Sequence, residues 1–373
     1  MSTLKVEWNE ELKSVLIDDG VHTFPRRCEV SRELISKVKL HSLCEMLIDS
    51  SRVTSTENPN GRPIDFCVTS RRESQGVFFG PRGEVRRGER WETEYEFFDI
   101  TEQGELSFGF SVDYPHVGTE EEVVERTSLY FERLSVRVHS LKCYAGDFDS
   151  PPSWQIEIIP PEDWTVARCA DVSEGVRILL SQRQANPSSA LGAYTLILSG
   201  RSDLLLGQVE SDWLEVKRKG YGISTPSQKY EFACDVAAFA NSPTGGILVI
   251  GMSTEKDSAG RDLLSRLSPC KTGSLNLQTY MQALADRVVP APEGLKVEVV
   301  PAEGGDLLVA YVPVQPEELM PFLVKGAIVS GRVSGSYFSI PQRIGSDKFP
   351  ASAESVHSML VAARAIFRMK SEG

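Results

Sequence analysis

A short apolar run between glycines constrains the fold of this chain more than any other feature. Gly245-Gly246 precedes Ile247-Leu-Val-Ile250, and Gly251 follows it. A continuous apolar run of this length predicts a strand that is covered on both faces. Such a strand needs helices packed on its sheet, so the segment indicates an α/β layer.

The sequence before this strand predicts one of the covering helices. Thr225-Pro-Ser-Gln228 is typical of a helix start, because a threonine N-cap, a proline at the first helical position and a glutamine two residues later form a capping box. An apolar stripe follows at helical spacing, and Asn241-Ser-Pro243 ends the pattern. The stripe consists of Phe232, Val236 and Phe239.

A charged segment lies upstream, in Glu210-Ser-Asp-Trp-Leu-Glu-Val-Lys217. Residues 214–216 are predicted to form a strand on which Glu215 and Lys217 share one face, while Leu214 and Val216 point into the core. Glu210 lies in a polar turn that can fold back toward Glu215. Two or three carboxylate oxygens at one point suit Mg²⁺ or Mn²⁺, and Lys217 can stabilise negative charge on a phosphate.

The same spacing has a simpler interpretation. A Glu-x-Lys pair on an exposed strand face is usually solvated and contributes under about 1 kcal/mol. The spacing alone therefore leaves both a metal site for phosphodiester chemistry and a surface ion pair open.

Three blocks of the chain occur in an order that is typical of a known family. The first block is Glu-Ser-x-x-Leu-Glu-x-Lys from Glu210, followed by a helix ending in Ala237-Ala-Phe-Ala-Asn241 and the Gly-Gly strand. The others are Pro321-Phe-Leu-Val-Lys-Gly326 and Gln342-Arg-Ile-Gly-Ser346, the latter leading into a last helix. Together they resemble the Schlafen AlbA_2 domain. The resemblance covers about residues 203–365 and implies a mixed sheet with helices.

The resemblance also implies an activity, that of a metal-dependent endoribonuclease cutting transfer or ribosomal RNA. The catalytic residues that it implies are Glu210, Glu215 and Lys217, with Mg²⁺ or Mn²⁺ as cofactor. Many members of the family are described only as ATP-binding or DNA-binding proteins. A non-catalytic role therefore stays open beside the nuclease.

The third acid of the family pattern has no direct counterpart in this chain. It falls where the sequence has Ser253 and Thr254, and Glu255 and Asp257 follow. The implied metal ligands are therefore Glu210 and Glu215 together with Glu255 or Asp257.

A cationic stretch follows the charged segment and is the best candidate for holding an RNA backbone. Lys217-Arg218-Lys219 with the neighbouring Tyr221 can bind phosphates and stack a base. A solvated strand end explains the same residues equally well. Arg343 can add a phosphate contact or form a structural ion pair.

Composition and charge limit the remaining choices. The chain has 373 residues, is 41% hydrophobic and has seven scattered cysteines without a Cys-x-x-Cys motif, which argues against a disulfide framework or zinc site. Residues 201–373 carry 18 Lys and Arg against 19 Asp and Glu, leaving 22 against 33 for residues 1–200. The acidity belongs to the N-terminal half. No apolar run is long enough for a membrane span or signal peptide, and we expect a cytoplasmic protein.

The expected architecture is an α+β domain over residues 1–195 followed by the Schlafen-like α/β domain over residues 203–373. The N-terminal part alternates polar with apolar residues as antiparallel strands do, and a helix is predicted from Thr119 through about Leu141. In the C-terminal part, residues 276–289 predict a helix, residues 295–300 and 307–314 a hairpin, and residues 351–369 a last helix.

Two functional hypotheses follow. The first is the metal-dependent endoribonuclease, acting on RNA, with transfer RNA as the expected substrate and stress or phage defence as the expected role. The second is a non-catalytic nucleic-acid-binding or ATP-binding regulator whose acidic N-terminal domain recognises a protein. Vertebrate Schlafen cores join two related lobes into a clamp, so a homodimer is expected for a chain with one lobe.

Overall fold

A computed structural model describes residues 6–9, 14–17, 20–22, 27–52, 65–79, 85–113, 119–144, 153–181, 187–221, 223–329 and 332–371. The chain divides into two compact units, Met1–Arg183 and Gln184–Gly373. Both units combine helices with mixed sheets, as predicted from the sequence. In the described part of the chain, no helix is long and apolar enough to cross a membrane.

The first unit is built around a six-stranded sheet of order β4-β5-β6-β7-β9-β8, with a separate three-stranded sheet β1-β2-β3. Its elements are β1 (Val6–Asn9), β2 (Ser14–Ile17), β3 (Gly20–His22), β4 (Arg27–Ser31), α1 (Arg32–Ile35), α2 (Leu40–Arg52), β5 (Asp65–Phe79), β6 (Val85–Ile100), β7 (Leu106–Asp113), α3 (Glu120–Arg133), β8 (Arg137–Tyr144), β9 (Ser153–Ile159) and α4 (Val166–Ser181).

The helix predicted from Thr119 to Leu141 is shorter than expected. Thr119 caps it as predicted, with its side chain accepting a hydrogen bond from the backbone N–H of Glu122, but α3 ends at Arg133. Ser135 adopts a φ of 57°, in the left-handed region that no helix continues through. The chain then continues as β8. Val138, which the apolar pattern places on one side of the predicted helix, is an exposed residue of this strand.

The second unit contains a four-stranded sheet of order β10-β11-β16-β15. Its elements are α5 (Ala190–Leu198), β10 (Leu214–Lys217), α6 (Pro226–Ala240), β11 (Gly246–Ile250), β12 (Met252–Lys256), β13 (Asp262–Leu267), α7 (Leu277–Arg287), β14 (Val288–Val289), β15 (Lys296–Ala302), β16 (Gly305–Val312), β17 (Leu323–Val329), β18 (Arg332–Ser339), β19 (Pro341–Ile344), β20 (Asp347–Pro350) and α8 (Ala353–Ser371).

The glycine-bounded run forms β11, which is completely buried. It pairs in parallel with β10 and antiparallel with β16, so it is a central strand. The capping box at Thr225 is present, and α6 packs on this sheet through a core that includes Phe232 and Phe239. Gly246 is required at its position because a Cβ there would lie 1.8 Å from the ring of Phe239. These contacts hold α6 against β11 and β16.

The remaining expectations for this unit hold with one correction. The hairpin β15-β16, the helix α7 and the last helix α8 are present. The apolar pattern of residues 276–289 predicts Leu277, Tyr280, Met281 and Leu284 on the buried face. Tyr280 and Leu284 of α7 are buried, but Leu277 and Met281 are exposed. The helix therefore contacts the core along a narrower stripe than the sequence pattern suggested.

Candidate functional site

Glu215 lies inside the protein and not on a solvated strand face. Leu214, Glu215 and Val216 are all buried in β10, with Glu215 only 7% exposed. Glu215 and Lys217 share one face of the strand, as expected from the sequence, but Glu215 is buried there and only Lys217 reaches the surface, so the alternative of a solvated surface pair is wrong for Glu215. The Glu215 carboxylate is held from two sides, with Oε1 at 2.5 Å from Lys217 Nζ and Oε2 at 2.8 Å from Arg343 Nη2.

Arg343 is the buried partner that fixes this carboxylate. It lies on β19, and its side chain is 1% exposed. Besides Glu215, its guanidinium donates to the backbone carbonyls of Ser211 at 2.9 Å and Leu214 at 3.2 Å, and it stacks over the ring of Phe239. Its donors are thus directed inward, and the structure places Arg343 in the ion pair that the sequence left open.

Glu210 reaches the same strand from the loop before it. Its Oε1 accepts a hydrogen bond from the backbone N–H of Val216 at 3.0 Å. Because β10 is an edge strand, this N–H has no neighbouring strand to pair with, and the carboxylate takes that role. Glu210 and Glu215 are therefore brought together, as the sequence predicted.

The environment of Glu210 changes its protonation. The pKa of Glu210 is raised from 4.5 to about 7. The larger cause is the burial of the carboxyl group, and the second is the negative charge of Glu215. The hydrogen bond from Val216 and the charge of Lys217 act in the opposite direction but do not offset these effects. At neutral pH the carboxyl group is therefore present in both protonation states.

Lys217 is the cation at the surface of this cluster, with a side chain that is 39% exposed. Burial lowers its pKa, but the carboxylates of Glu215, Asp235 and Glu210 outweigh that effect, and the pKa is raised. Lys217 thus stays protonated and carries a fixed positive charge where solvent, or a ligand, can reach it.

A second buried carboxylate belongs to the cluster and was not predicted. Asp235 lies on the apolar helix α6, is 4% exposed, and accepts hydrogen bonds from the Tyr221 hydroxyl and the Lys348 ammonium. A charged residue within the buried stretch Ala233 to Ala240 was the signal available in the sequence. Lys348 had no such signal, because only the pairing of β19 with β20 brings it near α6.

Tyr221 is part of this second group and is not an isolated surface ring. It packs against Phe232 at 5.4 Å between ring centroids, and its hydroxyl is directed to Asp235. Burial and the charge of Asp235 raise the pKa of Tyr221 well above its ordinary value, so the hydroxyl remains a donor. Base stacking by this ring, proposed from the sequence, would require it to leave this packing.

Neither candidate for the third acid joins the pair Glu210 and Glu215. Asp257 holds its own turn, with its carboxylate accepting from the backbone N–H groups of Ala259 and Arg261 and pairing with the Arg261 guanidinium at 2.8 Å. Glu255 lies exposed on β12 and lines a small cavity. Within the described ranges, no three His, Cys, Asp or Glu side chains converge closely enough to hold a metal ion.

The remaining basic candidates lie at the surface. Arg218 and Lys219 directly follow β10 and are exposed. They continue the positive charge of Lys217 beyond the end of the strand, and their role in holding an RNA backbone stays a prediction.

Comparison with known proteins agrees with the resemblance noted from the sequence. Residues 210–350 match the family described as Schlafen, AlbA_2. The match begins at Glu210 and ends with β20, so it includes all the site residues described above. The C-terminal part of the chain therefore contains an AlbA_2 domain, which supports a function related to nucleic acids.

Two further comparisons add little. No curated protein matches the chain. A solution NMR structure of the N-terminal domain of a RecG-related ATP-dependent DNA helicase protein from Nitrosomonas europaea is 23% identical over 38% of this chain and 85% of that one. Its TM-score is 0.23, which is too low for that structure to bear on this fold.

Replacement of Arg343 tests the buried ion pair. Arg343→Met removes the buried partner of Glu215 and the donor to the Ser211 and Leu214 carbonyls, and we expect a loss of about 3–5 kcal/mol in the free energy of unfolding by urea denaturation. Lys271→Met, at an exposed lysine, serves as the control and should change stability far less. An Arg343→Met protein as stable as the wild type would show that the pair is not the buried contact described here.

The raised pKa of Glu210 predicts a pH dependence of stability. A carboxyl group with a folded-state pKa of about 7 and an ordinary value of 4.5 stabilises the protein most below pH 4.5, and this contribution is lost as the pH rises through about 7. Wild type should therefore lose stability relative to Glu210→Gln between pH 5 and pH 8, as measured by urea midpoints. A difference that is constant across this range would contradict the assignment.

Proposed function

We propose that the AlbA_2 domain is an endoribonuclease acting on structured RNA of the transfer-RNA or ribosomal-RNA type. The observation that carries the proposal is that Glu210, with a carboxyl pKa of about 7, lies near Glu215, which in turn binds the accessible ammonium group of Lys217 at the edge of the sheet. The RNA substrate is taken from the resemblance to Schlafen cores. A role in stress or phage defence belongs to the same proposal.

The chemistry follows from what each group can do at neutral pH. Ionised Glu210 accepts a proton from the attacking oxygen, because a general base works best when its pKa is near the working pH. As the new P–O bond forms, negative charge grows on the phosphate, and the fixed positive charge of Lys217 stabilises it. The bond to the leaving ribose oxygen then breaks, and that oxygen takes a proton from water.

Glu215 and Arg343 act as positioning residues. Glu215 is shielded from solvent and holds the Lys217 ammonium, while Arg343 holds Glu215. The lysine side chain is thereby restrained beside Glu215. Restraint of this kind lowers the cost of placing a charge next to the reacting phosphate.

The resemblance also implies Mg²⁺ or Mn²⁺, and the donors present do not fit such an ion in this arrangement. Both carboxylate oxygens of Glu215 are bound to the cations Lys217 and Arg343. Of the other metal ligands that the resemblance implies, Glu210 lies near Glu215. A dication would have to displace Lys217 and find further ligands. The requirement for Mg²⁺ or Mn²⁺ stays a proposal, and the cleavage assay tests it separately.

A gel assay on transfer RNA, with Mn²⁺ or with EDTA, tests the nuclease. We expect cleavage whose rate rises with pH and levels off above about 7, and a loss of at least about 100-fold in Glu210→Gln and in Lys217→Met. Glu215→Gln should lower the rate as well, because Lys217 loses its anchor. The exposed control Glu303→Gln should cut at the wild-type rate.

The outcome separates two interpretations. Cleavage in EDTA supports chemistry by the protein groups alone, whereas cleavage only with Mn²⁺ supports the implied metal.

A specific observation favours a second function: the cations Lys217, Arg343 and Lys348 already bind the buried carboxylates Glu215 and Asp235. Transfer-RNA binding without cleavage in either condition would establish the non-catalytic nucleic-acid-binding or ATP-binding regulator instead.

We further propose that two copies of the chain form the RNA-binding groove, and that the acidic N-terminal unit binds a protein partner. The family match covers a single segment, while Schlafen cores join two related lobes. Light scattering at micromolar concentration should give about twice 41.2 kDa, with or without RNA. A mass of 41.2 kDa under both conditions would contradict the dimer.

A further inference from the structure

A small polar cavity lies beside the candidate site, at the carboxyl ends of the parallel strands β10 and β11. Its volume is about 260 Å³. The polar side chains that line it are Arg218, Arg266, Ser253, Thr254, Ser265 and Glu255. In open α/β sheets, the crevice outside the carboxyl ends of the strands is the usual place for ligands.

The fold brings these residues together through one turn. Gly251 connects β11 to β12, and its N–H donates to the Lys217 carbonyl at 2.7 Å. Its φ of 107° suits only glycine, and a Cβ would lie 2.6 Å from the side chain of Leu307. The turn therefore places the start of β12, including Ser253, next to the end of β10.

The pairing of β12 with β13 completes the cavity. Ser253 lies directly opposite Arg266, and opposite residues in an antiparallel pair extend their side chains to the same face. The register shifts between Ser253 and Thr254, which leaves Ser265 as an extra residue. Bulges of this kind redirect side chains and are frequent beside functional sites.

The charge of the cavity is positive. Arg218 and Arg266 are exposed, and neither has an ion-pair partner among the residues that the structure describes. Glu255 is the one acid in the lining. The Ser253 hydroxyl forms a hydrogen bond of 2.8 Å with Ser268, so it is fixed in place and still has capacity for a further bond.

We propose that this cavity binds a phosphate group of a nucleic-acid strand. Two guanidinium groups and several hydroxyls form the donor set that suits a phosphate, because the guanidinium fork matches two phosphate oxygens. The volume is below the 300 to 1,000 Å³ that is usual for a whole small-molecule ligand, and it suits one phosphate with part of its sugar.

The cavity is next to the reacting groups along the chain. Val216 lines it, and the backbone N–H of the same residue is bound by Glu210. Lys217 and Arg218 are consecutive, on either side of the strand end. Side chains alternate along a strand, so Arg218 and the cavity lie on the opposite face of β10 from Lys217. A nucleic-acid strand that crosses this edge of the sheet would place one phosphate near Lys217 and another at Arg218 and Arg266. The binding itself does not depend on cleavage, but its assignment to RNA rests on the proposed function.

Fluorescence anisotropy with a labelled single-stranded RNA tests the proposal. Arg218→Ala and Arg266→Ala should each weaken binding at least tenfold, and each lost phosphate contact should lower the slope of log affinity against log salt by about 0.7. Arg266→Lys should restore binding only in part. Lys271→Ala, the matched control at an exposed cation outside the lining, should stay within twofold of the wild type.

Competition identifies the source of the phosphate. Millimolar inorganic phosphate or a free nucleotide is added as competitor. If it displaces the RNA from the wild type but not from Arg266→Ala, the cavity accepts a small phosphate ligand. Displacement by unlabelled RNA alone would assign a backbone phosphate. Wild-type affinity and salt slope in Arg266→Ala, or an equal loss in Lys271→Ala, would overturn the proposal.

The same measurement in a Glu210→Gln background keeps this proposal separate from the nuclease. Loss of binding on Arg266→Ala in that background, in a protein that does not cut RNA, would leave the phosphate site standing and reject only the cleavage. If the wild type cuts RNA but substitution of Arg218 or Arg266 does not change RNA binding, the nuclease would stand and the phosphate site would be rejected.

Discussion

The ion pair between Arg343 and Glu215 is the contact on which the rest of the C-terminal unit depends. β10 is a short strand at the edge of its sheet, with backbone groups that no further strand pairs. Arg343 donates to the carbonyls of Ser211 and Leu214 while it holds Glu215, and so it closes this edge and joins it to the hairpin β19-β20. Desolvation offsets much of the attraction within a buried pair, but removal of one partner is costly because the other charge stays buried.

The distribution of charge around this pair explains why Glu210 differs from its neighbours. Glu215 has two cationic partners, and Asp235 has Lys348 and the Tyr221 hydroxyl. Glu210 has a backbone N–H and lies near the charge of Glu215. The domain thus neutralises its structural carboxylates and leaves one partly buried acid able to gain or lose a proton near pH 7, as expected of a functional group.

The local sequence was sufficient to predict the framework of this unit. The capping box at Thr225 and the glycine-bounded run that became β11 are short-range patterns with a clear physical cause, and both were confirmed. The side-chain partners were not predictable in the same way. Asp235 and Lys348 are 113 positions apart, and the burial of Glu215 depends on Arg343, which is 128 positions away. The helix after Thr119 was predicted to be too long for a different reason. It ends near Ser135, and the apolar pattern contains no signal for the left-handed conformation of that residue.

The central claim is that Glu210 and Glu215 form one electrostatically coupled site. A carbon-detected NMR titration of the Glu210 side-chain carboxyl group tests this most directly, in the wild type and in Glu215→Gln. We predict a pKa of about 7 in the wild type and a lower value in Glu215→Gln, still above 4.5 because burial remains. Titration of Glu210 near 4.5 in the wild type, or the same value in both proteins, would contradict the account.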